Sequence, residues 1–398
     1  MRHLLHLAVP AAFALAACLS APTGKPAGAD DGGVDAAPIA WPPTNAAIDA
    51  VAAGAVDGDT LDDLVVVDSG SGQVYLLKGG TDVARGAPVR TASKRAAITG
   101  LRPPAAALIV PGTPPRILVL DSPADLTRVT FFDADLVWTG ESTMSNATLD
   151  PTDLVSLSLT GFGMSGATVF ILTPTRWGFL ESTELGGASP MILMPNTNTG
   201  LTEVTDLRAA GGYVEQPMPH VFLVEPTIIQ RADVSGPSFA WTTIRDGDTW
   251  TGNAVADLTA DGKADVVGYM PVAGTPSSSK LCVTDVDAAS TACVDTPFQA
   301  PTAAVRIGDV TGMRRQDVVL LDPMAPGGAN VVVATDLHFN GPTLATGILT
   351  QPTSLTGMLP RLELAQLDTG GKEIVVVGRG GAVSCLTWNA GSLAVCPP

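Results

Sequence analysis

Short runs of apolar residues recur along the chain at intervals of about fifty residues, and polar turn residues separate them. The seven runs begin at Leu64, Ile117, Thr168, His220, Val266, Val318 and Ile374. Each run is preceded by one extended stretch and followed by one or two more, with Gly, Asp and Pro between them. Short strands punctuated by turn residues are typical of an all-β fold.

The repeat predicts an array of similar units rather than one irregular sheet. Each unit holds four short strands in a meander, which describes one blade of a β-propeller. Seven four-stranded antiparallel blades around an axis protect most strand edges by radial repetition. We therefore expect residues 45–398 to form a seven-bladed β-propeller. An array of two-sheet sandwiches is the alternative, because short strands alone do not fix closure.

The first residues have the pattern of an export signal. Residues 1–17 combine a positive start at Arg2 with an apolar stretch and small residues before Cys18. This boundary resembles the lipobox of bacterial lipoproteins, in which the Cys is lipidated and becomes the new N-terminus. An ordinary signal peptide with an incidental Cys is the alternative. The resemblance implies a chain anchored by lipid in the cell envelope, at the outer membrane or surface.

The stretch 18–44, after the predicted signal peptide, is almost entirely Ala, Pro, Gly, Asp and Thr. Such a composition cannot bury enough apolar surface to order itself, so it predicts a flexible linker. Trp41 is the exception and is expected to dock on the domain that follows.

Charge and cysteine content narrow the class of protein. Cleavage before Cys18 would remove Arg2 and take the formal net charge from −17 to −18, a balance that argues against nucleic-acid binding. The remaining four cysteines fall into two pairs of equal spacing, Cys282 with Cys293 and Cys385 with Cys396. An even count in an exported chain predicts disulfides, here between the third and fourth strands of blades 5 and 7.

The turn between the first two strands of blade 5 gathers oxygen-bearing side chains in the sequence ADLTADGKAD. Calcium prefers six to eight oxygen ligands, and alternating side chains plus one backbone carbonyl can supply them. The predicted ligands are Asp257, Thr259, Asp261, the carbonyl of Lys263, and Asp265. The alternative is a hairpin turn whose Asp side chains bind their own backbone.

Equivalent turns in three other blades carry related but less complete patterns. Blade 1 retains Asp57, Asp59 and Asp63 as metal candidates. The weaker candidates are Asp309, Thr311 and Asp317 in blade 6, and Asp368 and Glu373 in blade 7. Arg314 in blade 6 puts positive charge where a cation would bind. Any calcium in these turns is expected to be structural, since preferential binding to the folded state adds stability.

Three segments, VADLTADGKADVV, GAVDGDTLDDLVVV and GDVTGMRRQDVV, resemble the FG-GAP/VCBS repeats, the calcium-loop propellers related to the integrin α-subunit head. The motifs cover about four of the seven blades, whereas the spacing covers all seven. The resemblance implies calcium in the loops and extracellular binding or adhesion rather than catalysis. The full Phe-Gly…Gly-Ala-Pro string is missing from every unit.

Two classes of function remain open. The first is a monomeric, calcium-stabilised binding or scaffold propeller that recognises a protein or glycan and touches the membrane only through the lipid on Cys18. The second is an exported enzyme, of the quinoprotein dehydrogenase or polysaccharide lyase type, with a site in the central channel. Catalytic propellers concentrate His, Arg, Glu and Tyr there, and after the predicted cleavage this chain has only 3 Tyr and 2 His, His220 and His338. That scarcity favours binding. A subunit of an envelope assembly is a third possibility.

Overall fold

The fold is taken from a computed structural model of the chain. The described residues are 39–83, 88–123, 126–145, 155–160, 168–173, 176–180, 193–195, 209–213, 220–224, 228–234, 239–246, 252–258, 264–271, 279–286, 290–296, 304–323, 325–340, 343–357, 359–367 and 371–396. Within these ranges the regular structure is β-strand, and no helix there is long and apolar enough to cross a membrane.

Seven antiparallel sheets of four strands follow one another along the chain, each as one blade. Blade 1 contains β2 (Ile48–Gly54), β3 (Asp63–Asp68), β4 (Gln73–Leu77) and β6 (Lys94–Ala97). Blade 2 contains β7 (Ala106–Val110), β8 (Arg116–Asp121), β9 (Leu126–Phe132) and β10 (Trp138–Ser145). Blade 3 contains β11 (Ser156–Thr160), β12 (Thr168–Leu172), β13 (Arg176–Leu180) and β14 (Leu193–Pro195).

The later blades repeat this order. Blade 4 contains β15 (Ala209–Tyr213), β16 (His220–Val224), β17 (Ile228–Val234) and β18 (Phe239–Asp246). Blade 5 contains β19 (Gly252–Ala256), β20 (Asp265–Pro271), β21 (Ser279–Asp285) and β22 (Ser290–Thr296). Blade 6 contains β23 (Ala304–Gly308), β24 (Asp317–Asp322), β25 (Ala329–Ala334) and β28 (Thr353–Leu355). Blade 7 contains β29 (Arg361–Ala365), β30 (Glu373–Val377), β31 (Val383–Asn389) and β32 (Ser392–Val395).

The blades close into a ring. The innermost strands β2, β7, β11, β15, β19, β23 and β29 contact one another in that order, and β29 returns to contact β2. Among the described strands, the four strands of each blade come from that blade's own stretch of the chain, so the ring closes by packing blade 7 against blade 1. This closure confirms the seven-bladed propeller and excludes the sandwich array.

The hydrophobic core lies between the blades. The second strands are apolar on both faces because each face packs on a neighbouring blade. In β3, Val65 and Val67 join a cluster with Ile117 of blade 2, whereas Leu64 and Val66 join a cluster with blade 7. Burial on both faces explains why the seven runs are continuously apolar rather than alternating.

The structure describes the chain from Ile39 onwards, and Ile39 and Trp41 of the predicted linker 18–44 pack on the blades. The short strand β1 (Ile39–Ala40) pairs with β5 (Thr91–Ala92) beside blade 1. The Trp41 indole is buried between blades 7 and 1, and its Nε1 donates a hydrogen bond of 2.9 Å to the Gly381 carbonyl. Trp41 therefore docks on the propeller, as the sequence led us to expect.

Blade 6 contains an extra hairpin, β26 (His338–Asn340) with β27 (Thr343–Ala345), which is inserted between its third and fourth strands.

Both predicted disulfides are present, and Cys282 of β21 lies directly opposite Cys293 of β22. Cys385 of β31 bonds Cys396, which follows β32. The disulfides therefore join the third and fourth strands of blades 5 and 7, as predicted.

Candidate functional site: the carboxylate loops

The loops that connect the first and second strands lie at one end of the blades, and in four blades a buried carboxylate ends the loop. These carboxylates are Asp63, Asp265, Asp317 and Glu373, each the first residue of its second strand. Each accepts a hydrogen bond from the backbone N–H of a buried apolar residue at the start of the same loop. The donors are Val56 (3.1 Å), Leu258 (3.0 Å), Val310 (2.9 Å) and Leu367 (2.9 Å).

The second carboxylate oxygen ties the loop to a more distant part of the blade. In blade 1, Oδ1 of Asp63 accepts the N–H of Gly79, which follows the third strand, at 2.8 Å. In blade 6, Oδ1 of Asp317 accepts the N–H of Asp336, also after the third strand, at 3.4 Å. Buried N–H groups that lie beyond the strand ladder need such acceptors. The carboxylate therefore fixes two turns at once.

The carboxyl group of Asp63 has a strongly raised pKa. Burial raises its pKa to about 6, and the charges of Asp57 and Asp59 contribute, whereas the N–H groups of Gly79 and Val56 oppose the shift. A carboxyl group with this pKa prefers its neutral form more than an exposed carboxyl does. The blade 1 loop therefore concentrates negative charge that its own hydrogen bonds only partly offset.

The remaining candidates of blade 1 form turns with their own backbone. Oδ1 of Asp57 accepts the Asp59 N–H at 3.2 Å, and Oδ1 of Asp59 accepts the Leu61 N–H at 2.7 Å. The Lys78 ammonium lies 2.9 Å from Oδ2 of Asp57 and lowers the pKa of that carboxyl. Lys78 therefore already compensates part of the Asp57 charge that a calcium ion would use.

In blade 6, backbone N–H groups within the loop donate hydrogen bonds to its two carboxylates. Oδ2 of Asp309 accepts the N–H of Arg314 at 2.7 Å, while the Thr311 N–H donates to Asp317 at 2.9 Å. Arg314 adopts a left-handed backbone with φ of 59°, and the next arginine, Arg315, pairs with Asp336. The loop thus presents exposed cationic side chains where the blade 1 loop presents the carboxylates of Asp57 and Asp59.

The structure describes only some of the predicted calcium ligands. Thr259, Asp261, Lys263 and Asp368 lie outside the described residues. Within the described part of the chain, no group of three or more His, Cys, Asp or Glu side chains is arranged to hold a metal ion. Asp257 is half-buried at the start of its loop, and Asp265 is buried at the end. Calcium in these loops stays a prediction.

A second set of buried carboxylates, at the opposite end of the second strands, was missed by the sequence reasoning. These are Asp68, Asp121 and Asp322, each the last residue of its strand. Asp68 accepts the N–H groups of Ala47 and Gly70, and Asp121 forms a two-pronged ion pair with Arg128 at 2.8 and 2.6 Å. The sequence does contain a signal for these carboxylates, because an Asp ends each of the apolar runs LVVVD, ILVLD and VVLLD.

Loops of neighbouring blades are also joined to one another. The Asp62 N–H donates to the Gln366 carbonyl, and the Gln366 N–H donates back to Oδ2 of Asp62, both at 2.8 Å. Between blades 6 and 7, the Lys372 N–H donates to the Asp309 carbonyl at 2.8 Å. The carboxylate loops therefore help to hold adjacent blades in place.

This geometry defines the chain as a β-propeller with carboxylate-capped loops, and comparisons with solved structures agree on the fold. The chain is similar to BBS1N in a crystal structure with ARL6DN soaked with lead: 11% identity, TM-score 0.55, covering 87% of this chain and 93% of that chain. A mercury-soaked crystal of the same complex gives 12% identity, TM-score 0.54, and 87% and 94% coverage.

Extracellular domains 1–2 of Drosophila semaphorin 1a are 9% identical, with a TM-score of 0.48 and 88% coverage of each chain. No family model matches the sequence, and the curated proteins give no significant match. At 11–12% identity the likeness to BBS1N shows the fold alone.

Proposed function

We propose that the protein is a non-catalytic binding or scaffold module of the cell envelope whose ligand is a protein or a glycan. The observation that carries this proposal is the likeness over 87% of the chain to a propeller whose structure was determined with a protein, ARL6DN, bound to it. Propellers recognise partners through loops presented by a rigid ring, and this ring carries loops fastened from blade to blade. A protein partner is therefore favoured over a small substrate.

Calcium in the carboxylate loops is the second part of the proposal. Blade 5 is the main candidate, because its loop adds Thr259, Asp261 and the Lys263 carbonyl to Asp257 and Asp265. Blade 1 is a weaker candidate, since Lys78 already compensates Asp57. Arginine in blade 6 and the shorter loop of blade 7 argue against those two sites. Bound calcium would stabilise the loops that we expect to contact the partner.

Attachment to a membrane through lipid on Cys18 is the third part. It is supported by the lipobox-like sequence before Cys18 and by two disulfides, which persist in oxidising compartments. Fractionation of cells that produce the full chain or the variant Cys18→Ser tests it. The wild type should partition with membranes and the variant should not. Equal partitioning of the two would contradict the anchor.

An exported enzyme with a channel site is the second candidate function. The observation in its favour is a charged sector on the innermost strands, with Arg306, Glu363 and Arg361. Turnover of polysaccharides or of quinone-linked alcohol or sugar substrates by the purified full chain would reverse the proposal in favour of this candidate.

Photo-crosslinking in intact cells tests the binding function directly. A photoreactive residue replaces Met313, which is 71% exposed at the tip of the blade 6 loop, or Val395, which is 64% exposed on the outer strand of blade 7. Binding through the loops predicts a discrete light-dependent product from position 313 that purified wild-type protein competes away. Absence of such a product from both positions would contradict a binding function.

A further inference from the structure

The wall of the central channel is charged in one sector only. On the seven innermost strands that the structure describes, every charged residue belongs to blade 6, 7 or 1. These residues are Asp49, Arg306, Arg361 and Glu363. The innermost strands of blades 2 to 5 read AALIV, SLSLT, AAGGY and GNAVA, and are neutral throughout. The charge is therefore a local feature of this chain and is not part of the repeat.

Two of these residues meet at the same level of the channel. Arg306 pairs with Val319, the third residue of the second strand in blade 6. Glu363 pairs with Val375, the third residue of the second strand in blade 7. Their side chains form an ion pair, with Arg306 Nη2 at 2.8 Å and Nε at 3.4 Å from the carboxylate oxygens. The Arg306 side chain is 45% exposed, so solvent reaches the inner wall at this point.

Arg361 lies two residues before Glu363, at the end of the blades opposite the carboxylate loops. Its Nε is buried and has no hydrogen-bond partner among the described residues. Burial lowers the pKa of the guanidinium, the Asp49 charge opposes that shift, and the charges of Arg379 and Arg306 add to it. Asp49 is only partly available to compensate, because its Oδ2 accepts the Ser69 N–H at 3.2 Å.

Arg379 belongs to the same end of the ring. It follows β30 in blade 7, and its carbonyl accepts the Ile48 N–H at 2.8 Å, next to Asp49. The sector thus holds three guanidinium groups against two carboxylates, one of which is already paired with Arg306. Arg361 is half-buried, and a buried N–H donor such as its Nε is costly unless an acceptor completes its hydrogen bonds.

We propose that this sector binds a small oxyanion, with a phosphate or carboxylate group received by the guanidinium of Arg361. The planar fork of a guanidinium matches the two oxygens of such groups, and Arg379 and Arg306 add positive potential. The proposed site does not use the carboxylate loops, since Arg361 lies at the opposite end of the channel. In a chain of net charge −17, a local positive sector selects anions from the solvent.

Isothermal titration of the full chain with inorganic phosphate, and separately with succinate, at constant ionic strength in chloride tests the proposal. We expect saturable binding of at least one of the two anions that chloride does not reproduce. Thermal unfolding should show a matching rise in Tm, on the order of 2–4 °C at saturation for a chain of this size. Absence of saturable binding of either anion would overturn the proposal.

Three variants locate the site. Arg361→Met should abolish binding, while the matched control Arg95→Met, at an exposed position on the outer strand of blade 1, should leave it unchanged. Glu363→Gln should tighten binding, because it releases Arg306 from its carboxylate. If Arg361→Met does not fold, Arg306→Gln decides instead and should weaken binding about tenfold, or about 1.4 kcal/mol. If the variant that is measured, Arg361→Met or Arg306→Gln, binds the anion as tightly as the wild type, the anion binds elsewhere.

Discussion

A carboxylate at a strand end accepts hydrogen bonds from backbone N–H groups that lie beyond the sheet and so have no strand carbonyl to pair with. Asp63, Asp317 and Glu373 are buried and accept N–H groups from loops that have left the strand ladder. The same residues are those that the sequence predicted as the last ligand of each calcium loop. The residue type was therefore predictable, but its hydrogen-bond partners were not, because they depend on how the loop folds back over the strand.

Asp63 makes a pH-dependent contribution to stability. Its folded pKa of about 6 lies above its ordinary value of 3.8, so the folded state holds this proton more tightly than the unfolded state does. Stability from this group is complete below pH 3.8 and is lost as the pH rises towards 6. As the pH rises over this range in the presence of chelator, the unfolding free energy of the wild type should fall relative to that of the Asp63→Asn variant. Urea unfolding between pH 4 and pH 7 measures the difference, and a rise would contradict the account.

The buried Asp121–Arg128 ion pair of blade 2 should contribute far more to the free energy of unfolding than exposed ion pairs do. Asp121→Ala leaves the Arg128 guanidinium without its buried carboxylate and should lower the unfolding free energy by about 3–5 kcal/mol. Lys94→Ala removes an exposed pair with Asp135 and should cost at most about 1 kcal/mol. Urea unfolding of both variants provides the comparison. Similar losses in the two would contradict a structural role for Asp121.

At the scale of elements, the blades were predictable because their second strands are buried on both faces. That burial makes each run continuously apolar, and the runs recur at nearly constant spacing. The short strands β1 and β5 and the hairpin of β26 and β27 were not predicted, because two or three residues carry no hydrophobic period. Their pairing depends on neighbouring blades rather than on their own sequence.

The cross-strand disulfides should stabilise the outer strands of their blades. Replacing both Cys282 and Cys293 by Ala should lower the unfolding free energy by about 2–4 kcal/mol. A reductant should lower the Tm of the wild type and have no such effect on a variant that lacks all four paired cysteines. Thermal unfolding with and without reductant tests this. An equal response of both proteins would show that the disulfides do not form.

At the scale of the whole molecule, the described strands form a closed ring with no exchange of strands between blades. Blade 7 meets blade 1 through a shared core, the Asp62–Gln366 hydrogen bonds and the buried indole of Trp41. The sequence identified Trp41 as an anomaly in a polar stretch, but its position at the closure required the three-dimensional order of the blades.

Trp41 should therefore contribute to closure. Trp41→Ala removes a buried indole and should lower the unfolding free energy by about 3–5 kcal/mol. Trp388→Ala, at a half-buried position on β31, should cost less. Differential scanning calorimetry compares the two variants. A larger loss for Trp388→Ala would contradict the role of Trp41 at the closure.

The most direct test of a calcium-stabilised propeller is thermal unfolding of the full chain, disulfides intact, in calcium and then in excess chelator. Calcium at 100 times its dissociation constant should add about 2.7 kcal/mol to the unfolding free energy, a Tm rise on the order of 2–4 °C. The rise should disappear in Asp261→Ala and persist in Asp295→Ala, a control on the exposed outer strand of blade 5. An identical Tm in calcium and chelator would mean that the carboxylate loops are turns and not cation sites.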